Sequence, residues 1–362
     1  MVFKRINKRN LISNIIAIVL LLAFSVLIKG SITLPGIFSL IFIYSIAALA
    51  LNVVCGCLGE FVLGHGGFLL IGYTIAVLIS QLCKKLIDPA FLKASIYTTK
   101  GAELHPLGYL LIIGIVIAAA VITGIIGFIV GTIALGRLKG DYLAIVTLGI
   151  SLIFVNVCKN FKFLGGASGM GAASYLGGTP LLYSIFLVVV IFLIMSFMRS
   201  RFGRSILACR DDNIAAEASG VPVNQYKVLA FTFATFIAGI AGALLANYTT
   251  YAPINFGQDF SILFLIIIVL GGLGSLTGSI LASGLIVFYE QWFCKQAWVP
   301  EFFASNPKII YGIVLVLIML FRTSGILGTS EFTWDWFYKS IKKIFNKVKS
   351  LFKKKPSKEV EK

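Results

Sequence analysis

Few residues in this chain have the chemistry for covalent catalysis. The sequence contains two histidines, His65 and His105, and six cysteines. The cysteines form no Cys-x-x-Cys pair, and Cys55 and Cys57 stand too close together for a usual zinc pair. Two histidines at this separation also exclude an HExxH motif and multi-histidine metal sites. We therefore predict no metal site and no cofactor, and we interpret the cysteines as small buried apolar residues.

One serine lies in a stretch that invites a nucleophile interpretation. The fragment Gly166-Ala167-Ser168-Gly169 resembles the GxSG motif of intramembrane serine proteases. A nucleophilic serine needs a basic partner such as histidine, and in that family the histidine lies downstream on a later span. Both histidines of this chain lie upstream of the serine. We interpret the fragment as a Gly-rich break in a span and expect the protein not to be an enzyme.

A phosphate-binding loop for ATP is also missing from the sequence. The Walker A motif requires a Gly-Lys dipeptide, because its lysine reaches the β- and γ-phosphates. No Gly-Lys dipeptide occurs anywhere in the chain. If ATP drives this protein, another chain hydrolyses it.

The composition is that of a membrane protein. Of the 362 residues, 59% are hydrophobic and only 12% are charged, and the mean hydropathy is +0.98. A membrane-spanning helix needs about 20 apolar residues. Runs approaching or exceeding that length lie near 11–28, 33–54, 61–82, 107–135, 142–158, 180–198, 228–247, 260–293 and 307–321. We predict an all-α polytopic membrane protein with about 8–10 transmembrane helices and broken or re-entrant Gly-rich segments.

The distribution of basic residues predicts the orientation. Residues 1–10 are basic, and residues 323–362 form a Lys-rich tail. With ten crossings, both termini and the charged loop 199–227 share one side of the membrane, which then holds most Lys residues and every Arg. The positive-inside rule places that side in the cytoplasm. Residues 11–322 are the predicted transmembrane domain, in which 260–293 forms two short crossings or a re-entrant pair.

The net charge of +17 does not indicate nucleic-acid binding. Much of it comes from the tail, where residues 334–352 place apolar side chains at helical spacing between lysines. Such a basic amphipathic helix suits contact with anionic lipid at the cytoplasmic leaflet. A solvated tail that only fixes the topology is the alternative interpretation.

The charged loop 199–227 contains signals for one short helix. Asp211 or Asp212 is suited to cap it, the Ala-rich centre favours it, and Gly220 followed by Pro222 ends it. Because so short a helix is marginal in water on its own, something must hold it. From the residues alone, a surface loop pinned by its flanking spans and a docking helix for a soluble partner remain equally open. The docking face consists of small residues: Ala215, Ala216, Ala218 and Ser219.

The same loop carries a resemblance to a known family. The stretch Ala216-Glu217-Ala218-Ser219-Gly220 looks like the Glu-Ala-Ala…Gly loop of bacterial ABC importer permeases. Within that class, five stretches resemble branched-chain amino acid permease subunits in the same order along the chain. They are 59–73, 137–148, 165–169, 201–231 and 271–278. The chain departs from the family pattern at Glu60, where the family usually has Gln.

The resemblance implies a permease subunit of an ABC importer in the bacterial inner membrane, with a path for branched-chain or related amino acids. It implies ATP-binding cassette subunits, a second homologous permease and an extracellular solute-binding protein as partners. Residues 211–220 would then be the helix that contacts the ATPase. The implied ATPase-coupling residues are Arg210, Asp211, Asp212, Ala215, Ala216, Glu217, Ala218 and Gly220. A permease for urea, short amides or nucleosides and an autonomous secondary transporter are the alternatives.

Polar residues and Gly-rich breaks within the spans are the candidates for the translocation path. Polar groups in a membrane are costly and tend to face a bundle interior or a water path. Broken helices expose backbone groups that can line a cavity. The candidates are Glu60, His65, Asn156, Gly165, Gly166, Ser168, Gly271 and Gly272. For Glu60 and His65, a structural role between packed helices is the open alternative.

Overall fold

The computed structural model describes most of the predicted transmembrane domain. The described residues are 25, 34–86, 106–136, 140–164, 166, 170–171, 180–249, 251–252, 256–296, 300, 307–321, 325 and 328. The basic N-terminus 1–10, all but one residue of the first predicted span 11–28, and the amphipathic helix 334–352 lie outside them. Of that first span, Ser25 is buried, and its hydroxyl accepts a hydrogen bond from Ser184.

Helices account for nearly all of the regular structure in these ranges. They are α1 Leu34–Asn52, α2 His65–Leu86, α3 Pro106–Ala134, α4 Asp141–Asn160, α5 Pro180–Arg199, α6 Arg201–Asp211, α7 Asn213–Ala218, α8 Val223–Tyr248, α9 Phe256–Gly271, α10 Leu276–Gln291 and α11 Pro307–Phe321. A π-helix, Val53–Leu58, continues α1. Two-residue strands, β1 Met170–Gly171 and β2 Tyr251–Ala252, pair antiparallel.

The long apolar runs fold as helices because lipid offers the backbone no hydrogen-bond partner. Within the described ranges, six helices are long and apolar enough to cross a membrane: α1 with its π-helix, α2, α3, α4, α5 and α8. Parts of α9 and α11 are equally apolar but shorter. The prediction of an all-α polytopic membrane protein is confirmed.

The apolar run 260–293 divides into two helices at its Gly cluster. Helices α9 and α10 have 16 residues each, or about 24 Å at the α-helical rise. They are joined by a turn, residues 272–275, in which Gly272 and Gly274 have positive φ values of 112° and 86°. Across the turn, a Cβ added to Gly271 or Gly278 would lie within 2.5 Å of the other residue's backbone. Only glycine permits this close approach of α9 and α10.

Helix α8 forms the centre of the bundle. It packs against α3, α2 and α1, and a long run of its residues from Ile237 to Ala246 is buried. Small residues bring the helices together, since a Cβ on Gly72 of α2 would lie 2.7 Å from the Cα of Gly239. Near the start of α8, Gly131 of α3 lies against the ring of Phe231. These contacts fix α8 rigidly between two neighbouring spans.

Contacts between helix ends define one face of the bundle, which we call the loop face because α6 and α7 lie there. The π-helix that follows α1 reaches this face, where Arg210 of α6 donates a hydrogen bond to the carbonyl of Gly56. Helix α8 begins at the same face, where Lys227 forms an ion pair with Glu60. The loop face is the side that the distribution of basic residues predicts to be cytoplasmic.

The close approach of α9 and α10 predicts a position where one methyl group is harmful. Gly278→Ala places a Cβ 2.2 Å from the carbonyl oxygen of Gly271, so we expect a loss of about 1–3 kcal/mol in stability. Gly114→Ala, in α3, is the matched control because a Cβ there meets no atom within 4 Å. A lowered thermal unfolding midpoint in detergent for the first variant alone supports the packing. Equal midpoints for both variants contradict it.

Candidate coupling site and translocation face

The charged loop between α5 and α8 folds as two short helices, so the prediction of a single helix was incomplete. The hydroxyl of Ser200 caps α6 by accepting a hydrogen bond from the N–H of Gly203 at 3.4 Å. The buried residues of α6 follow helical spacing: Gly203, Ile206 and Cys209. These residues form a narrow apolar stripe, and arginines stand between and beside them in the sequence. The hydrophobic pattern alone therefore did not predict this helix.

One aspartate connects the two helices. The backbone N–H of Asp212 donates to the carbonyl of Ala208 at the end of α6. Its carboxylate accepts hydrogen bonds from the N–H groups of Ile214 and Ala215 at 2.8 and 3.1 Å, at the start of α7. The structure thereby assigns the predicted cap to Asp212 rather than Asp211. The other end of the segment turns at Gly220, whose φ of +80° favours glycine.

A small buried cluster holds α7 in place. Cys209 of α6, Ala216 of α7 and Val223 of α8 are buried together, with Val221 and Tyr226 packed at the edge. Burial raises the pKa of the Cys209 thiol, which keeps this residue neutral and apolar. Ala216 was predicted on the docking face, but it lies on the anchoring side of the helix. The reason is helical periodicity: residues two positions apart lie on nearly opposite sides of a helix, so Ile214 and Ala218 face away from the side on which Ala216 is buried.

The opposite side of α7 is exposed and carries a large apolar side chain. Ile214 is 81% exposed, and Ala215, Glu217 and Ala218 are exposed around it. A single exposed apolar residue is common on protein surfaces, but Ile214 lies on a helix that a cap and a buried cluster hold in one position. Sequence reasoning missed Ile214. The available signal was a single β-branched residue in a stretch of Ala and polar residues.

Arg210 points back toward the membrane helices. Its guanidinium donates to the carbonyl of Gly56 at 3.2 Å and also binds the neighbouring carboxylate of Asp211 at 3.0 Å. The side chain lies over Gly59, where an added Cβ would come within 2.7 Å of the Arg210 Cγ. Gly59 also has a positive φ of 81°. This site therefore requires glycine for its backbone conformation and for the space that Arg210 occupies.

Glu60, a predicted path residue, forms an ion pair with Lys227 in the first turns of α8. The two side chains are only 12% and 6% exposed, respectively. Removal of one partner from such a sheltered pair leaves an uncompensated charge. Sequence reasoning missed Lys227, although a lysine at the start of a long apolar helix was a visible signal.

Of the candidates, Gly271 ends α9 and Gly272 begins the turn between α9 and α10, and a buried amide holds that turn. The Asn52 side chain donates to the carbonyl of Ser275 at 3.0 Å and to the hydroxyl of Ser279 at 3.1 Å. Its Oδ1 accepts from the N–H of Gly274 at 2.8 Å. The amide therefore binds one donor and two acceptors of the broken segment, which lies packed against the end of α1.

His65 begins α2 and lies inside the bundle. Its ring Nε2 is 3.2 Å from the carbonyl oxygen of Ala47 in α1, to which it donates. The ring of Phe264 contacts it edge-on, with 6.5 Å between centroids. Of the two roles that the sequence left open, these contacts favour the structural one, because the ring binds α1 and packs on α9.

Asn156 lies on a face of α4 that the described chain leaves uncovered. On its inner face α4 packs against α2, and Thr147 accepts a hydrogen bond from the N–H of Leu63, which precedes α2. The outer face is exposed along the length of the helix: Tyr142, Ile145, Val146, Ile153, Asn156, Val157 and Asn160. We call these residues the α4 face. Gly166 follows this helix with a φ of 61°, whereas Gly165 and Ser168 lie outside the described residues.

A groove of about 900 Å³ separates α3, α5 and α8 near the loop face. Its lining is nearly all apolar and includes Phe128, Phe197 and Phe233, with Asn224 and Gln225 at one end. Such a lining does not suit a zwitterionic solute. Within the described ranges, no three His, Cys, Asp or Glu residues lie close enough to hold a metal ion.

Comparisons of the sequence with known proteins match this chain to a transport family. Residues 33–319 match the family model described as branched-chain amino acid transport system / permease component. The chain is 31% identical over 328 residues to the high-affinity branched-chain amino acid transport system permease protein LivM of Escherichia coli (strain K12), covering 80% of this chain and 68% of that protein.

More distant relatives align over nearly their whole length. The identity is 26% to the permease protein BraD of Pseudomonas aeruginosa, a high-affinity branched-chain amino acid transport protein, over 80% of this chain and 92% of the relative. It is 24% to a probable branched-chain amino acid transport permease of Methanocaldococcus jannaschii, over 79% and 90%.

The two neighbouring aspartates provide a test of the cap. Asp212→Ala removes the acceptor of two N–H groups of α7, and we expect α7 to lose about 1 kcal/mol of stability. The measurement is hydrogen exchange of the backbone amides of residues 213–219. Asp211→Ala is the matched control, because within the described part of the chain the Asp211 carboxylate binds the side chain of Arg210 and no N–H group of α7. Equal exchange in the two variants contradicts the assignment of the cap.

Proposed function

This chain belongs to the family of permease components of branched-chain amino acid transport systems, and we propose that it is a transmembrane permease subunit of an ABC importer. On this proposal ATP is hydrolysed by separate ATP-binding cassette subunits, and the chain itself is not an enzyme. The match of the family model over residues 33–319 supports the class. The absence of a Gly-Lys dipeptide from the sequence agrees with ATPase activity on another chain.

The observation that carries the proposal is the construction of the α6–α7 segment. Its caps and its buried cluster fix a two-turn helix at the loop face, yet the helix leaves Ile214 almost fully exposed. A loop that only connected two spans would need neither a fixed helix nor an exposed apolar side chain on it. We assign the exposed side of α7 to the ATPase contact, with Ala215, Glu217 and Ala218 around Ile214.

The remaining predicted coupling residues shape this contact from within the permease. Asp212 and Gly220 set the two ends of α7, and Ala216 anchors it. Arg210 ties the end of α6 to the π-helix, and Asp211 holds the Arg210 guanidinium from the solvent side. The proposal therefore keeps all eight predicted coupling residues but divides them between contact and support.

The α4 face is the proposed border of the translocation path. A helix that faced only lipid would present apolar residues, whereas this face carries Asn156 among its apolar residues and Asn160 at its end. Polar groups in spans tend to border water or a partner helix. A second homologous permease, placed against this face, would enclose a path between the two subunits. Gly165, Gly166 and Ser168 follow α4 in sequence and are the proposed outer end of the path.

A branched-chain or related amino acid is the proposed substrate. The relatives named above are branched-chain amino acid permeases, and they support this choice over urea, short amides or nucleosides. An extracellular solute-binding protein would deliver the substrate. The loop face is then cytoplasmic, both termini lie in the cytoplasm of a bacterial cell, the tail contacts anionic lipid, and the protein spans the inner membrane several times.

Co-purification tests the subunit composition. The tagged chain is extracted from its native membrane in mild detergent, and mass spectrometry identifies the proteins that follow it. We expect a Walker-A-bearing ATPase and a second permease. Recovery of the chain alone, stable in several detergents and active in liposomes, would instead favour an autonomous secondary transporter.

The docking role of α7 predicts the effect of one substitution. Ile214→Asp places a charge at the centre of the contact, so we expect the co-purified ATPase and the ATP-driven uptake to fall by about tenfold or more. Ile214→Leu keeps an apolar side chain and is the control. Both variants should insert and remain monodisperse, because Ile214 contributes little to the fold. Unchanged ATPase recovery with Ile214→Asp contradicts the assignment.

The proposed path predicts a difference between two exposed positions. Asn156→Cys on the α4 face should react with a water-soluble maleimide in the assembled complex. Val189 in α5 is 45% exposed, and Val189→Cys should face lipid and react about tenfold more slowly. The half-buried Cys83 and Cys294 are first replaced by serine. If both cysteines react at the same slow rate, the α4 face lies in lipid and is not part of the path.

A further inference from the structure

Two cations that flank α7 in the sequence bind the same short stretch of chain. Arg210 ends α6 and Lys227 lies in the first turns of α8, so they stand on either side of the docking helix. Arg210 binds the carbonyl of Gly56, and Lys227 binds the carboxylate of Glu60. We call residues 56–60 the corner. Both ends of the α7 segment are thus attached to the corner.

The backbone of the corner has an unusual conformation where these two residues bind. It begins inside the π-helix, passes through Gly59 with its positive φ, and ends at Glu60. π-helical turns are rare and are frequently found at functional sites. The ion pair is sheltered from water, and the space above Gly59 is taken by the Arg210 side chain. A displacement of α6 or of the start of α8 therefore acts on the corner directly.

The other side of the corner contacts the broken segment between α9 and α10. A Cβ on Gly56 would lie 2.3 Å from the backbone nitrogen of Gly274, so the two backbones touch. One turn earlier, Asn52 binds the turn through Gly274, Ser275 and Ser279. The corner cannot shift toward or away from α6 without straining these contacts or carrying the turn with it.

We propose that Arg210 and Lys227 are positioning residues that transmit the displacement of α7 through the corner to the turn between α9 and α10. This inference rests on the proposed function, since it names the route by which an ATPase contact reaches the membrane helices. Arg210 acts on the end of the π-helix, and the Lys227–Glu60 pair acts on the residues that lead into α2. Continuous sets of packed groups, hydrogen bonds and ion pairs of this kind can carry coupling between separated sites.

The first experiment exchanges the charges of the sheltered pair. The variants are Glu60→Lys, Lys227→Glu and the double exchange E60K/K227E, each purified as the complete complex and reconstituted in proteoliposomes. The readout is solute taken up per ATP hydrolysed, a ratio that a purely structural defect in part of the sample leaves unchanged. We expect each single variant to lower the ratio by about tenfold, and the double exchange to restore most of it.

A matched control is available on the opposite side of the bundle. Lys308 and Asp259 form an exposed ion pair at 3.1 Å between α11 and α9. Lys308→Glu, Asp259→Lys and their double exchange should leave the ratio within about twofold of the unmodified complex. Single variants of the sheltered pair that fold and keep the unmodified ratio overturn the proposal. Glu60→Gln and Lys227→Gln replace any charge-reversal variant that fails to fold, with the same expectation.

The second experiment uses the full chain without its partners and is independent of transport. Arg210→Ala removes the bond to Gly56, and we expect faster hydrogen exchange both in residues 53–64 and in residues 272–279, which form the turn and the start of α10. Arg204→Ala is the matched control on the same helix: it removes a bond to the carbonyl of Arg199, keeps the bond between Arg210 and Gly56, and should change neither region. Acceleration confined to residues near 210 overturns the route to the turn. If the unmodified complex shows no ATP-driven uptake, the proposed function fails, and the exchange result still decides whether the corner connects the two regions.

Discussion

The side-chain amide of Asn52 maintains a break in a helix pair within a membrane. The turn between α9 and α10 leaves backbone groups without partners in either helix, and lipid cannot supply them. Asn52 binds the N–H of Gly274 and the carbonyl of Ser275, and it also binds the hydroxyl of Ser279. Because the amide comes from the end of α1, the break is stable only where α1 packs against it. The π-helix and the corner follow Asn52 directly in the chain, and the close contact between Gly271 and Gly278 lies beside the turn that the amide binds.

From Asn52, an unbroken series of contacts leads to the loop face. The end of α1 contacts the turn on one side and carries the corner on the other, and the corner is bound by Arg210 and Lys227. These two residues flank α7, whose apolar tip at Ile214 is exposed. Polar contacts that satisfy the backbone in the membrane and ionic contacts near its surface thus form one connected set. This connection gives a physical basis for coupling a soluble ATPase to a transmembrane path.

The sequence predicted the features that depend on local pattern. Apolar length located the spans, and the Gly cluster at 271–278 located the break between α9 and α10. The signals Asp212 and Gly220 located α7, because capping and chain reversal are local properties. Contacts between distant residues could not be predicted in this way. The pairing of Glu60 with Lys227, the burial of Ala216 against Cys209 and the contact of His65 with Ala47 arise from tertiary packing, and no spacing in the sequence encodes them.

The central claim, that this chain is the permease of an ATP-driven importer, is tested most directly by transport in a defined system. The purified complex, with the proposed ATPase, second permease and binding protein, is reconstituted into proteoliposomes. Uptake of radiolabelled leucine, isoleucine and valine is measured with and without ATP. The account predicts uptake that requires both ATP and the binding protein. Uptake by this chain alone at the same rate, without ATP or partners, would contradict it.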